Sequence, residues 1–169
     1  MIRLPRSPFF LLALAAGGCD PSRTPCEGDT CPDISGVYSI RDTVPAGECD
    51  FTPYLFAPSV DIRQEGGGQR MVFHVIDPTT QLAVPLSGDV YAPGADREEG
   101  LLGTFRIDSR TTRLAHRDGD QVVTLNVAAT GSVTRVEGRR LLSATLTTTD
   151  TRTDSGCTLT LTVTGESSQ

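Results

Sequence analysis

The chain of 169 residues contains no lysine and no tryptophan, and its 15 basic side chains are all arginines. Without lysine it can hold neither a P-loop lysine nor a Schiff-base lysine, so those two classes of enzyme are excluded. Asn126 is the only asparagine and does not begin an N-glycosylation motif. The net charge of −6, with no basic stripe in the sequence, argues against a nucleic-acid partner.

The first residues have the pattern of an export signal. Arg3 and Arg6 precede an apolar run of eight residues, Phe9–Ala16. A helix that spans a bilayer needs about 20 apolar residues, so this run is too short for one. The pattern predicts a cleaved signal peptide over residues 1–18.

Small residues lead from this run directly into a cysteine. The segment Ala16-Gly17-Gly18-Cys19 resembles the lipobox of bacterial lipoproteins, with alanine where leucine is usual. The resemblance implies that Cys19 is acylated and becomes the first residue of a lipoprotein. Membrane lipid would then hold the chain in the cell envelope, on the periplasmic or cell-surface side, because two or three acyl chains anchor a protein stably. The alternative is an ordinary secretory signal with an incidental cysteine.

Four cysteines remain after Cys19, and an exported chain meets oxidising conditions. An even number predicts two disulfides, for which three pairings exist. We favour a short Cys26–Cys31 bridge and a long Cys49–Cys157 bridge, although spacing also permits Cys31 with Cys49. A four-cysteine zinc site is less consistent with the sequence, because only one of the two pairs is closely spaced.

Residues 19–32 are rich in proline, serine, aspartate and glycine, which predicts a lipidated tether. Residues 33–169 then alternate short apolar segments with turn residues and form the predicted β domain. Residues 157–164 alternate apolar side chains with threonine, as in a half-buried strand. About nine strands, with Gly131 read as a break between two of them, predict an all-β fold. A single antiparallel meander closed as an up-and-down barrel is favoured, and a β-sandwich is the alternative.

The first strand begins with Gly36-Val37-Tyr38, which resembles the Gly-X-Trp motif of lipocalins and avidin-like barrels. In those families the aromatic residue fills one end of an up-and-down barrel, so the resemblance implies that topology. It covers one strand only, and tyrosine replaces tryptophan. It therefore implies no ligand site.

Chemistry-bearing motifs are few. His74 alternates with apolar residues and is expected on a solvated strand face, and His116 lies beside a predicted turn. The acidic clusters at residues 118–120 and 96–99 lack the spacing of an EF-hand loop and are read as solvated turns. The sequence thus predicts no metal site and no cofactor.

These observations favour a membrane-anchored, non-catalytic binding module for a small apolar ligand or an envelope partner. The side chains expected to line a ligand cavity are Tyr38, Ile40, Phe73, Phe105 and Leu125. The alternative is a structural or surface lipoprotein without a ligand. An enzyme is a third hypothesis, which would need His74 or His116 beside a carboxylate in a polar cleft.

Overall fold

The alternating segments form antiparallel strands in a computed structural model of the chain, which describes residues 24–49, 51–94, 98–108, 113–118, 121–150 and 156–167. The strands of these residues are β1 (Gly36–Ala46), β2 (Leu55–Phe56), β3 (Ser59–Glu65), β4 (Arg70–Ile76), β5 (Ala83–Tyr91), β6 (Leu101–Ile107), β7 (Arg113–Asp118), β8 (Gln121–Val136), β9 (Arg139–Asp150) and β10 (Cys157–Ser167). The predicted signal peptide and Cys19 lie outside the described residues.

Eight of the strands close an antiparallel barrel in the order β1-β3-β4-β5-β6-β8-β9-β10, and β10 pairs with β1. This order follows the chain, so the predicted up-and-down meander is confirmed. The two other strands lie outside this order. β2 pairs with β4 beyond the part of β4 that pairs with β3, and β7 pairs with β8 beyond the part of β8 that pairs with β6. No helix among these residues is long and apolar enough to cross a bilayer.

The interior is formed by every second residue of each strand, as the pleat requires. On β8 these are Leu125, Val127, Ala129 and Val133, which are all buried. They belong to one apolar cluster that spans the barrel. The core of the domain is therefore the barrel interior itself.

Gly131 does not end a strand, contrary to the prediction from the sequence, and β8 continues through it. Its interior position explains the residue, because a Cβ there would overlap the ring of Phe105. The glycine makes room for an aromatic side chain across the ladder. The turn into β9 is at Glu137 and Gly138, both with positive φ, as in a two-residue hairpin.

The two predicted disulfides are both present. Cys26 bonds Cys31, and Cys49 bonds Cys157 across a sequence separation of 108 residues. Because β1 and β10 are neighbours in the barrel, the second disulfide links the chain just beyond β1 to the start of β10. The two cysteines come together because the pairing of β1 with β10 closes the barrel.

Candidate functional site

The barrel has two different ends. At the plug end, where β1 begins and β10 stops, residues 24–35 cover the ring. At the seam end, β1 stops at Ala46 and β10 begins at Cys157. The candidate site lies in the interior between these ends.

The plug, residues 24–35, is held in part by Gln64, a residue that the sequence pattern did not single out. Gln64 uses all four hydrogen-bonding positions of its amide. Its Oε1 accepts bonds from the N–H groups of Ile34 (2.7 Å) and Ser35 (3.0 Å). Its Nε2 donates to the carbonyl oxygens of Pro32 (2.9 Å) and Gly68 (2.8 Å). One side chain thus fastens the plug to β3 and to the turn that follows it.

Tyr38 and Arg140 complete this fastening. The Tyr38 hydroxyl, which is fully buried, donates to the carbonyl oxygen of Ile34 at 2.9 Å. Arg140 donates to the carbonyl oxygen of Ser35 at 2.8 Å and to the Asp33 carboxylate at 2.9 Å. Burial raises the pKa of Asp33, but hydrogen bonds from Ser35 and Arg140 outweigh it and leave the pKa lowered. The plug end is thus closed with its buried polar groups paired.

A shallow groove of about 540 Å³ lies outside this end, between the plug and β3. Its lining includes the charged side chains of Asp33, Asp61 and Arg63 and none of the five residues predicted to line a cavity. Asp61 and Arg63 already pair with each other at 2.7 Å. The groove is an open surface feature of mixed polar and apolar lining, distinct from the interior.

Four of the five predicted cavity residues lie together in the interior. Tyr38, Phe73, Phe105 and Leu125 are buried in one cluster, and Ile40 packs against it half-buried. The rings of Phe73 and Phe105 meet edge to face with centroids 6.0 Å apart. The structure therefore places four of these side chains in one packed apolar core, with Ile40 packed against it, and their role as cavity-lining residues stays a prediction.

At the seam end, parts of two strands have a described strand partner on one side only. Residues 42–46 of β1 pair with β10, and among the described residues no strand lies on their other side. Residues 83–87 of β5 pair with β4 and likewise have no described strand on the side toward β6. Pro45 and Pro85 lie in these two segments, which suits proline because it cannot donate to a ladder. We call the two unpaired edges the seams.

Polar side chains face the interior at this end. Thr148 and Asp150 of β9 follow the inward-facing Leu146 at intervals of two, and they are 1% and 5% exposed. Tyr54 is also fully buried there, and burial together with the nearby Asp77 carboxylate raises its pKa to about 12. A sequence signal for Thr148 existed, because the alternation of Leu142, Ala144 and Leu146 extends to it.

The histidines contribute no described site. His74 is exposed on the outer face of β4, as expected, and His116 lies on β7, whose side chains are outside the described residues. In the described part of the chain, no group of three or more His, Cys, Asp or Glu side chains is arranged to hold a metal ion. The acidic clusters at 96–99 and 118–120 lie partly outside it.

Comparison with known proteins found no match: no protein-family model, no curated protein and no solved structure is significantly similar to this chain.

Proposed function

We propose that this chain is a bacterial envelope lipoprotein, anchored by acylated Cys19, whose barrel binds a small apolar ligand without catalysis. The observation that carries the proposal is a laterally closed barrel with one apolar interior and one sealed end. Concave apolar interiors with a few polar groups are the usual form of small-molecule sites. A ligand would enter from the seam end, because the plug covers the other.

The position of the plug gives the proposed anchor an orientation. Residues 20–25 separate Cys19 from Cys26, and six extended residues span at most about 20 Å. Cys26 is fixed at the barrel by its disulfide and by its N–H, which donates to the carbonyl oxygen of Val90 at 2.9 Å. In the lipidated protein the plug end would therefore face the membrane, and the seam end would point away from it.

Anchoring is tested with Cys19→Ser. We expect wild-type protein in the membrane fraction after a carbonate wash and the variant in the soluble fraction. Cys26→Ser is the matched control, since it removes a cysteine near the same end without removing the proposed acylation site. A Cys19→Ser variant that stays with membranes would refute the lipoprotein assignment.

Ligand binding is tested by native mass spectrometry of protein extracted from its own envelope. We expect a mass above that of the acylated chain, which falls after denaturation and solvent extraction. A mass equal to the acylated chain alone, in protein never exposed to organic solvent, would refute the binding module.

A structural lipoprotein without a ligand is the second candidate. It is favoured by the close fit between Phe105 and Gly131, which indicates dense packing in at least part of the interior. Cross-linking in intact cells separates the two candidates. A structural role predicts one dominant protein neighbour and no bound small molecule.

A further inference from the structure

Thr148 differs from Thr145 and Thr149 of the same strand. Thr145 and Thr149 face outward, and their hydroxyls lie 3.3 Å and 3.1 Å from the hydroxyls of Thr162 and Thr158 on β10. Thr148 faces inward, and its Oγ1 is buried without a hydrogen-bond partner. It is the one such side-chain atom found among the described residues.

The cross-strand neighbours of Thr148 are apolar. Across the ladders Thr148 lies opposite Val127 on β8 and Leu159 on β10, and Leu146 precedes it on the same face. A buried hydroxyl without a partner is unfavourable, because it has lost water and gained nothing in exchange. Such groups are uncommon in folded proteins, and each requires an explanation, of which a bound water, ion or other molecule is one.

The position of Thr148 also favours access. It lies near the end of β9, at the seam end, where β1 and β5 each have an edge without a described strand partner. Among the described residues, no ladder hydrogen bond has to break for the wall to part at these two edges, whereas β9 itself is paired on both sides as far as Asp150. Regions of low local stability are those that open to admit ligands.

We propose that the Thr148 hydroxyl binds the hydrogen-bonding group of an otherwise apolar ligand that enters through the seam end. This inference rests on the proposed function and specifies its ligand class: an uncharged, apolar molecule with one alcohol, amide or amine group. Asp150 lies two residues further along the same face and is 5% exposed. A ligand carboxylate would bring a second acidic group beside it, which disfavours anionic ligands.

Two fluorescent probes of nearly equal size test the hydroxyl. N-phenyl-1-naphthylamine carries one N–H donor, and 1-phenylnaphthalene carries none. In Thr148→Val, which keeps the shape and removes the hydroxyl, we expect about fivefold weaker binding of the amine, as for one lost hydrogen bond, and unchanged binding of the hydrocarbon. Thr148→Ser should retain the affinity for the amine.

Thr145→Val is the matched control, because it removes an outward hydroxyl from the same strand and should change neither affinity. If Thr148→Val weakens both probes equally, or neither, the role of the hydroxyl is refuted while the binding module stands. If wild-type protein binds neither probe, the proposed function fails and this inference fails with it.

The charge of the ligand is tested with 8-anilinonaphthalene-1-sulfonate, an anionic relative of the amine. We expect at least tenfold weaker binding than for the neutral amine, and a smaller difference in Asp150→Asn. Equal affinity of the two probes for the wild-type protein would overturn the assignment to uncharged ligands.

Discussion

The two ends of the barrel differ in whether a buried hydroxyl group has a hydrogen-bond partner. At the plug end the Tyr38 hydroxyl donates to a carbonyl oxygen, while at the seam end the Thr148 hydroxyl has no partner. The same contrast holds for the backbone, since the ring of ladders is complete only at the plug end. Hydrogen bonding is therefore more complete at the end where the proposed anchor is attached, while the longer disulfide, Cys49–Cys157, lies at the opposite end.

The largest expected effect concerns the two disulfides. Replacing Cys49 and Cys157 by serine opens a 108-residue loop, and the chain-entropy relation then predicts a loss of roughly 5 kcal/mol in the free energy of unfolding. The same change at Cys26 and Cys31, which are five residues apart, should cost about 2 kcal/mol. Urea unfolding of the two double variants measures the difference. A larger loss from the shorter loop would contradict this ranking.

Gln64→Leu should be the most damaging single change at the plug end. It leaves two N–H groups and two carbonyl oxygens of the plug and its neighbouring turn without their side-chain partner. We expect a loss of roughly 2–4 kcal/mol in unfolding free energy.

Gln81→Leu at the opposite end is the control for Gln64→Leu. The Gln81 side chain is exposed, and its Nε2 donates one bond, to the carbonyl oxygen of Pro78. Its loss should cost less than about 1 kcal/mol. Equal losses in the two glutamine variants would mean that the plug is held mainly by its disulfide and by Ile34.

Removal of the Tyr38 hydroxyl and removal of the Thr148 hydroxyl should change the unfolding free energy in opposite directions. Tyr38→Phe leaves the carbonyl oxygen of Ile34 without its donor and should lower the unfolding free energy by about 1–2 kcal/mol. Thr148→Val removes a buried group that has no partner and should raise it by about 1 kcal/mol. Thermal unfolding followed by circular dichroism measures both. A Thr148→Val variant less stable than wild type would show that the hydroxyl is satisfied in solution.

The smallest expected effect is a dependence on pH at the plug end. Glu166 accepts hydrogen bonds from Arg139 and Arg41, and these lower its pKa from 4.5, with Arg139 the larger influence. Because the folded pKa lies below the unfolded one, this stabilisation is present above pH 4.5 and is lost as pH falls through the folded pKa.

Glu166→Gln should therefore flatten the acid limb of the stability profile, whereas Glu65→Gln at an exposed position should not. Urea midpoints measured between about pH 3 and pH 7 test this difference. An unchanged acid limb in Glu166→Gln would assign the acid dependence to other carboxylates, of which Asp33 is the first to examine, since its pKa is also lowered.

Much of the fold could be predicted from the sequence because the strands are long and alternate regularly. Residues 157–164 show one apolar face, and the pairing of β10 with β1 followed from closing the meander. The disulfides were predictable for the same reason, since closure brings Cys49 close to Cys157. These features depend on a period of two and on neighbour relations, which a sequence displays directly.

Other features depend on contacts between residues distant in the sequence and could not be predicted in this way. Gly131 was read as a break, because a glycine in a strand is ambiguous until the opposing Phe105 is known. Gln64 alternates with the apolar Val60 and Ile62, yet its bonds are to a plug 29 to 32 residues earlier. Thr148 is concealed between two outward-facing threonines, and its missing partner is visible only in three dimensions.

The separation of Cys49 from Cys157 also bears on how the chain matures. A polypeptide that emerges from its amino end presents Cys26, Cys31 and Cys49 well before Cys157, so a wrong disulfide among these three can form before the last strand is made. Contact across the five-residue separation of Cys26 and Cys31 takes well under a microsecond, so these two thiols meet many times during the seconds or longer that disulfide formation requires. Once Cys26 and Cys31 are bonded to each other, neither is available to form a wrong disulfide with Cys49 before Cys157 in β10 is made. Early formation of the Cys26–Cys31 disulfide thus favours the correct Cys49–Cys157 disulfide.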